Sequence, residues 1–489
     1  MASARSDGEP DGAVVRDDDR EDRDDREDDH QNAGPGLDED IRLELLALGR
    51  IGHAMRSFVD CAEYELQRWS RSASKLSDKH KELLSSLSSP TIYSSDCQRF
   101  IREGVHHNDM FLRAVLEWLG EQGGPWPLCH ALQAADMWVD EEGSGVTPAD
   151  FDKVLYVLKN IARDWSAEFQ AERDASYGRI VGALTRIRDD RRDGAPKKGR
   201  AKEDNKNNIA GSDGNGDGNG NGNGNGNGGA TKMNVLVPGC GLARLCLDLA
   251  DQGFDVAGNE HSYFMLLMSA FLLNGTTVEN QWTVFPWMIG SSNVWRLADQ
   301  LRPCNFPDRL PGEMAGRPDS GALSMVAGEF CECFGGEGER GTYDAVVTCF
   351  FLDTAHNVVQ YMETIWDVLV AGGVWVHLGP LQWHWSDAHT YLAGSDEISI
   401  EVGFDAVVEM ATKVGFAVER LPDGESGGGV GGGGGDGEDG EDGEDDANGS
   451  IHPSGFSRLR VPYMCNPRSM RPQEYDCGAF VARKQLDFN

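Results

Sequence analysis

One stretch of the sequence decides the fold: Val235-Leu-Val-Pro-Gly-Cys-Gly-Leu-Ala-Arg-Leu-Cys-Leu-Asp-Leu-Ala250, which is followed by Phe254-Asp-Val-Ala-Gly-Asn-Glu260. It begins with a short apolar run that a Pro-Gly pair ends, as expected of a buried parallel strand. The leucines from Leu242 onward predict an amphipathic helix, and a second apolar segment ends at Glu260. The order of strand, glycine turn, helix, strand and acid predicts a pocket for a nucleotide cofactor.

The turn and the acid suit different parts of such a cofactor. Gly239 and Gly241 have no side chains, so a ligand can lie against the backbone, and Glu260 can accept hydrogen bonds from two ribose hydroxyls. A tight turn followed by a solvated glutamate is the alternative that this pattern alone leaves open. Arg244 stands where a dinucleotide fingerprint has its third glycine. This favours S-adenosylmethionine over NAD or FAD, because S-adenosylmethionine has no phosphate for the turn to cradle.

Composition limits how much of the chain can form a core. The 489 residues carry a formal charge of -36 and include 61 glycines. Three segments are so polar or glycine-rich that they cannot bury enough apolar surface to offset the conformational entropy lost on ordering. They are an acidic tail at 1–40, a low-complexity linker at 190–230 and an acidic, glycine-rich insertion at 423–449. We therefore predict a helical region at 41–189 and a cofactor-binding domain at 231–489.

The charge and the cysteines exclude several classes of partner. Strong acidity disfavours nucleic acid, whose phosphates would be repelled, and no apolar run is long enough to indicate a membrane partner. The 11 cysteines are scattered without the spacing of a metal site or a disulfide framework, which is typical of a cytoplasmic protein. A basic cluster at 196–202 leaves a nuclear location open, although a solvated linker is favoured. Homodimerisation also stays open.

Periodicity predicts the remaining elements. Apolar residues recur at helical spacing from about 40 to 122, and the capping signal Thr147-Pro-Ala-Asp150 begins a further helix that we expect to reach about Leu184. Beyond residue 234, strands and helices alternate, with one strand expected at Ser324–Phe330. An apolar strand at Tyr475–Ala482 is expected to complete the sheet. The fold predicted is α/β, a doubly wound and mostly parallel sheet with an all-helical N-terminal part.

In such sheets ligands bind beyond the carboxyl ends of the strands. The residues expected to gather there are Gly239, Glu260, Glu329 with Phe330, and the segment from Cys349 to Asp353. In particular, we expect the carboxylates of Glu260 and Asp353 to face a common cavity.

Four motifs together resemble the carnosine N-methyltransferase family. They are Val237-Pro-Gly-Cys-Gly-Leu-Ala-Arg-Leu245, Gly258-Asn-Glu-His-Ser-Tyr-Phe-Met-Leu266, Thr348-Cys-Phe-Phe-Leu-Asp-Thr-Ala-His-Asn357 and Leu378-Gly-Pro-Leu-Gln-Trp-His384, and shorter matches begin at Arg163, Ala171 and Ala298. The similarity runs from about residue 41 to 485, interrupted by the low-complexity segments and by divergent regions around 386–396 and 450–470. It implies a class I methyltransferase-like fold and an enzyme that uses S-adenosylmethionine to methylate the imidazole of carnosine, giving anserine, or of related His-containing dipeptides.

The resemblance also implies roles for individual residues. The implied cofactor residues are Asn160, Arg163, Gly239, Glu260, Glu329, Phe330 and Cys349, and the implied substrate residues are Asp353, His384 and Tyr475, with Tyr463 as a competitor of Tyr475. Asn160 stands where the family commonly has Gln, and Glu329 where it has Asp. Both changes keep the hydrogen-bonding type, so we expect shifted geometry.

Methyl transfer to an imidazole requires one ring nitrogen to be unprotonated and aligned. A carboxylate such as Asp353 can fix that tautomer, with His384 as its catalytic partner, and Arg163 can pair with the methionine carboxylate of the cofactor. Each residue also has a structural interpretation: Asp353 as a helix N-cap, His384 as a packed core histidine, and Arg163 as the ion-pair partner of a neighbouring carboxylate.

Three further functional classes stay open. The first is a protein (histidine) methyltransferase that uses the same pocket, and the second is a non-catalytic methyltransferase-like interaction module. An NAD-dependent dehydrogenase is disfavoured by Arg244 and by the additional acids at the strand ends.

Overall fold

The computed structural model of the protein describes residues 39–121, 146–194, 232–314, 317–387, 398–421 and 455–485. The predicted acidic tail, linker and acidic insertion lie almost wholly outside the described residues. The described residues from 45 onward form one compact unit, and residues 39–44, the start of the first helix, fall outside it. Within the described part, no helix combines the length and the apolar character needed to cross a membrane.

The N-terminal region is helical, as predicted. Its helices are α1 (Glu39–Arg56), α2 (Phe58–Ser74), α3 (Asp78–Ser85), α4 (Ser95–Glu121) and α5 (Pro148–Trp165). The predicted capping signal begins α5: the Thr147 hydroxyl accepts the Asp150 N–H, and the Asp150 carboxylate accepts the Thr147 N–H in return.

Helix α5 ends at Trp165, so the prediction of one continuous helix to Leu184 is wrong. Ser166 is extended, and the carbonyl groups freed at this helix end are taken by partners elsewhere in the chain. The Asp308 N–H donates to the Trp165 carbonyl, and the Arg173 guanidinium donates to the Ser166 carbonyl. These tertiary bonds replace the helical ones, which periodicity alone could not reveal.

The chain then continues through short turns into the sheet domain. After a 3-10 helix (Ala167–Phe169) come α6 (Gln170–Arg173), a π-helix (Asp174–Gly178) and α7 (Arg179–Gly194). The strands are β1 (Asn234–Pro238), β2 (Asp255–Glu260), β3 (Trp282–Val284), β4 (Cys304–Phe306), β5 (Leu323–Ala327), β6 (Tyr343–Cys349), β7 (Leu369–Gly379), β8 (Phe416–Arg420), β9 (Ser457–Pro462) and β10 (Glu474–Lys484). Between them lie α8 (Arg244–Asp251), α9 (Tyr263–Asn274), α10 (Leu297–Gln300), α11 (Phe330–Phe334), α12 (Val358–Val368) and α13 (Phe404–Val414).

The main sheet has the order β5-β2-β1-β6-β7-β10-β8, and β9 pairs with β10. The first five strands are parallel, whereas β10 runs antiparallel to β7, β8 and β9. This confirms the predicted mostly parallel sheet and the predicted final strand. Along β1, Val235 and Val237 pack into one core cluster and Leu236 into another, so both faces of the sheet are covered.

The helical region packs against the sheet domain through a shared apolar core. Phe111 of α4 makes edge contacts with Phe271 of α9 and Phe306 of β4. Nearby, buried Asn108 donates to the Phe285 carbonyl and accepts the Phe285 N–H, which anchors α4 to the loop after β3. These contacts fix α4 against α9, β4 and the loop after β3.

Candidate active site

The glycine turn after β1 has the conformation that only glycine adopts easily. Gly239 and Gly241 have φ values of 63° and 55°. A Cβ on Gly239 would meet a ring carbon of Phe351 at 2.3 Å, whereas a Cβ on Gly241 would meet nothing within 4 Å. Gly239 is therefore required by the packing of Phe351, and Gly241 leaves the backbone open to a ligand.

Replacing Gly239 with alanine is expected to lower the free energy of unfolding by about 2–3 kcal/mol, because alanine is strained at positive φ and its methyl group would collide with Phe351. The matched control is Gly182→Ala in α7, where the space is open and alanine favours the helix by about 0.5–1 kcal/mol. Urea denaturation measures both. Equal midpoints for the two variants would contradict the role given to Phe351.

Glu260 ends β2 beside this turn, and its carboxylate is held by three backbone N–H groups. Oε2 accepts the Gly241 N–H at 2.8 Å, and Oε1 accepts the N–H groups of His261 at 3.0 Å and Ser262 at 2.9 Å. Because each carboxylate oxygen can accept about two hydrogen bonds, Oε1 is fully used and Oε2 keeps capacity for one ligand hydroxyl, not the two expected from the sequence. The charge is fixed at the open side of the glycine turn.

Glu329 lies outside the sheet, so the prediction of a strand through Phe330 is wrong at its end. Strand β5 stops at Ala327, and Gly328 follows with a φ of 137°. Glu329 then caps α11, its Oε2 accepting the Glu332 N–H at 2.8 Å. Phe330 is buried, with its ring 5.6 Å from that of Phe351, so this segment packs beside the glycine turn.

The last turns of α5 contain two more of the predicted cofactor residues, Asn160 and Arg163. Asn160 is buried and donates to the Tyr156 carbonyl at 3.0 Å. Helix α5 is tied to the glycine turn through Trp165, whose indole N–H donates to the Leu242 carbonyl at 3.1 Å. Helix α5 therefore packs beside the glycine turn.

Arg163 makes the ion pairs that its structural interpretation anticipated. Its Nε donates to Glu172 at 3.0 Å, and its Nη1 donates to Asp164 at 2.9 Å and to the Tyr177 hydroxyl at 2.8 Å. Nη2 donates to no residue in the described part of the chain. The guanidinium also lies 4.5 Å from the centre of the Tyr463 ring. One edge of Arg163 is thus committed to the protein, and Nη2 remains as a donor.

Cys349, another predicted cofactor residue, ends β6. Burial raises the pKa of its thiol to about 12, so this thiol stays neutral near pH 7.

The segment after β6 contains a feature that the sequence did not reveal. Its first residue, Phe350, has a φ of 52°, which is unfavourable for a bulky side chain. Its ring stacks on Tyr463 with the centroids 4.2 Å apart. Strain of this kind is typical of a functional site, and here it turns Phe350 toward a cleft.

Asp353 lies in the 3-10 turn Leu352–Thr354 and is only 3% exposed. Its Oδ2 accepts the Gln382 N–H at 2.8 Å, and its carbonyl accepts the His384 N–H at 3.0 Å. Burial raises the pKa of the Asp353 carboxyl, although the Gln382 N–H and the nearby His384 imidazole oppose this effect. The N-cap of α12 is Asn357, so the N-cap interpretation of Asp353 is wrong.

His384 and Tyr475 lie on the same side of this segment. His384 is exposed, which contradicts its interpretation as a packed core histidine. The Tyr475 hydroxyl donates to the Gln382 side chain at 2.9 Å and accepts from Gln473 at 3.1 Å. Asp353, His384 and Tyr475 are thereby joined through the loop that contains Gln382.

A cleft of about 880 Å³ collects these residues. Its wall includes Asp353, His384 and Tyr475 together with Phe350 and Tyr463. Tyr475 and Tyr463, the two alternatives that the sequence offered for substrate contact, therefore both line the cleft. The predicted cofactor residues are outside this wall: Glu260 ends β2 and Asp353 follows β6, on either side of β1. The cleft thus contains the predicted substrate residues, and the glycine turn is a separate part of the same sheet edge. Glu260 does not line this cleft with Asp353, contrary to the expectation that the two carboxylates face a common cavity.

Comparison with known proteins supplies the deciding observation. The family model for carnosine N-methyltransferase matches residues 141–198 and 225–424. The chain belongs to the carnosine N-methyltransferase family. A rat carnosine N-methyltransferase is 31% identical over 79% of this chain and 82% of its own length. The mouse protein of that name is 33% identical over 65% of this chain and 66% of its own length, and the Schizosaccharomyces pombe protein is 36% identical over 54% and 62%.

Membership of the carnosine N-methyltransferase family establishes that the protein is a methyltransferase enzyme. The matched region contains α5, the glycine turn, Glu260 and the Asp353 segment, but it ends before β9 and β10. The two tyrosines of the cleft, Tyr463 and Tyr475, therefore come from a part of the chain that the family model does not match. Their position in the cleft rests on the structure alone.

Proposed function

We propose that the protein methylates carnosine, β-alanyl-histidine, on the imidazole nitrogen nearest the side-chain root, giving anserine, with S-adenosylmethionine as the methyl donor. The proposal rests on the environment of Asp353. Its carboxylate is buried, accepts one backbone N–H and lies in the wall of a cleft large enough for a dipeptide. Related His-containing dipeptides fit the same chemistry.

The glycine turn suits a cofactor without phosphate. Gly241 leaves its backbone open, and the fixed Glu260 carboxylate can accept a ribose hydroxyl on Oε2. Arg244, the cation of this turn, is already engaged by Asp248, Asp308 and the Asp164 carbonyl, and so is not free for a phosphate. Arg163 keeps Nη2 as a donor for a carboxylate. These residues would hold S-adenosylmethionine, which supplies a methyl group on a sulfonium sulfur.

The cleft residues act on the imidazole. Asp353 accepts the N–H of the far ring nitrogen, which leaves a lone pair on the near nitrogen and stabilises the positive charge that the ring gains. Phe350 and Tyr463 offer a stacked aromatic wall for the ring. His384, beside Asp353, can orient the dipeptide or pass on the proton that the methylated ring loses.

The direct test incubates the purified full-length protein with methyl-labelled S-adenosylmethionine and carnosine. Chromatography against both ring-methylated isomers identifies the product. We expect labelled anserine as the sole product, because Asp353 selects one tautomer. Absence of methylated dipeptide would refute the proposed substrate, and the isomer methylated on the far nitrogen would refute the proposed role of Asp353.

A further inference from the structure

Helix α5 contributes one whole face to the cleft. Residues of this face recur three or four positions apart: Pro148, Phe151, Asp152, Leu155, Tyr156 and Lys159. Two of these side chains are charged, and they have opposite signs. This part of the cleft wall is therefore polarised along the helix axis.

Neither charge is neutralised by a close partner. In the described part of the chain, Asp152 and Lys159 make no hydrogen bond or ion pair through their side chains, and the influence of Asp152 on Lys159 is that of a charge at a distance. Lys159 is half-buried, and this burial lowers the pKa of its ammonium group. A half-buried ammonium without a partner is unfavourable in the free protein, so an anion bound in the cleft would stabilise it.

We propose that Lys159 binds the carboxylate of the substrate and that Asp152 binds its terminal ammonium, so that this face of α5 selects a zwitterionic dipeptide. The inference rests on the proposed function and adds the residues that recognise the two ends of the substrate. It assigns these residues to binding, whereas Asp353 acts on the ring.

The spacing of the two charges fits such a substrate. Seven residues of helix separate their Cα atoms by about 10 Å. Six bonds separate the ammonium nitrogen from the carboxylate carbon of β-alanyl-histidine, so that the two groups lie up to about 7 Å apart. The long stem of Lys159 can cover the difference, because its ammonium group can lean along the cleft.

The order of the charges also agrees with the order of groups in the substrate. The C-terminal end of α5 contacts the glycine turn through Trp165, so Lys159 is nearer than Asp152 to the predicted cofactor site. In β-alanyl-histidine the carboxylate is nearer than the ammonium group to the imidazole. A ring placed at Asp353 therefore brings the carboxylate to the lysine and the ammonium group toward the aspartate.

Among the described residues, two other cations line the cleft and are the alternatives to Lys159. Arg468 is already near the carboxylates of Asp299, at 3.7 Å, and Glu168, at 4.0 Å. Arg471 is exposed and lies on a loop, where its charge is better solvated and less well positioned. Lys159 is held on a helix and is partly desolvated, so it is the cation from which an anionic group gains most.

The test compares substrates that lack one charged end. With carnosine, we expect Lys159→Met to raise KM about 10-fold, and with β-alanylhistamine, which lacks the carboxylate, we expect the same variant to leave KM unchanged. Asp152→Asn should raise KM for carnosine and leave KM unchanged for N-acetylcarnosine, which lacks the ammonium group. Lys153→Met, an exposed lysine of α5 outside the cleft wall, is the matched control for charge and helix.

The outcomes separate this inference from the proposed function. If the wild-type protein methylates carnosine but Lys159→Met raises KM equally for both substrates, or if Arg471→Gln reproduces the selective effect instead, the assignment of Lys159 is overturned. If Asp152→Asn raises KM for N-acetylcarnosine as much as for carnosine, the assignment of Asp152 is overturned. If the wild-type protein does not methylate carnosine, the proposed function fails first, and this inference fails with it.

Discussion

Replacing Asp353 with asparagine is expected to lower kcat/KM for carnosine by about 10²- to 10³-fold, without unfolding the protein. Asparagine has nearly the same shape, and its amide oxygen can still accept the Gln382 N–H at the present Oδ2 position. It cannot supply a negative charge to the imidazole ring, so the wrong tautomer is no longer disfavoured and the developing positive charge is unpaired. The loss should appear in kcat as well as in KM.

The stability of this variant is the control that distinguishes catalysis from folding. Burial raises the pKa of Asp353, which means that the folded state binds a proton more tightly than the unfolded state does. This contribution to stability is present below the unfolded pKa and is lost as pH rises through the folded pKa, so ionised Asp353 destabilises the fold at neutral pH. Asparagine removes this cost, and we expect Tm at pH 7 to be unchanged or higher.

The pH profile gives a further check on Asp353. Because its ionised form is required in the bound complex, kcat should fall on the acid side at a higher pH than an ordinary aspartate would produce. Protonation of free carnosine, whose imidazole must also be neutral, affects kcat/KM instead. Asp405→Asn, a surface substitution at the start of α13 and outside the cleft wall, should leave activity unchanged. If Asp353→Asn retained wild-type kcat/KM, the catalytic role of this carboxylate would be refuted.

Much of the fold could be predicted because it depends on local patterns. The apolar run before Gly239 and the alternation that follows it predict the parallel strands, and the capping box at Thr147 predicts the start of α5. The end of α5 depends on hydrogen bonds from Asp308 and Arg173. Periodicity does not detect such tertiary bonds, so the predicted helix was too long. The end of β5 was misjudged for a similar reason, since Gly328 turns the chain before Glu329.

Site residues that stand in a sequence motif could be predicted. Residues whose role depends on the folded geometry could not. Asp353 and His384 stand in motifs, and the structure places both in the cleft. Phe350 was missed because positive φ at a phenylalanine leaves no signal in the sequence. Lys159 and Asp152 were missed because seven residues separate them, and only the helix places both on the face that lines the cleft. A search of helix faces for unpaired opposite charges could have found them.

Glu260→Ala is the second substitution with a large expected effect, since it should raise the Kd for S-adenosylmethionine about 100-fold. The change removes an acceptor for a ribose hydroxyl and also frees the N–H groups of Gly241, His261 and Ser262, so the turn loses its anchor. Titration calorimetry measures the affinity, and urea denaturation should report a loss of about 1–3 kcal/mol, because these N–H groups lose their charged partner.

Glu260→Gln separates the two contributions. Its amide oxygen can satisfy only one side of the present arrangement, so the affinity for the cofactor should fall less than in the alanine variant, and stability should fall in between. Glu279→Ala, an exposed glutamate after α9, is the control for a lost surface charge. If Glu260→Ala lowered stability but bound S-adenosylmethionine as tightly as the wild-type protein does, Glu260 would only shape the turn. The ribose would then have to be recognised by other groups at this edge of the sheet.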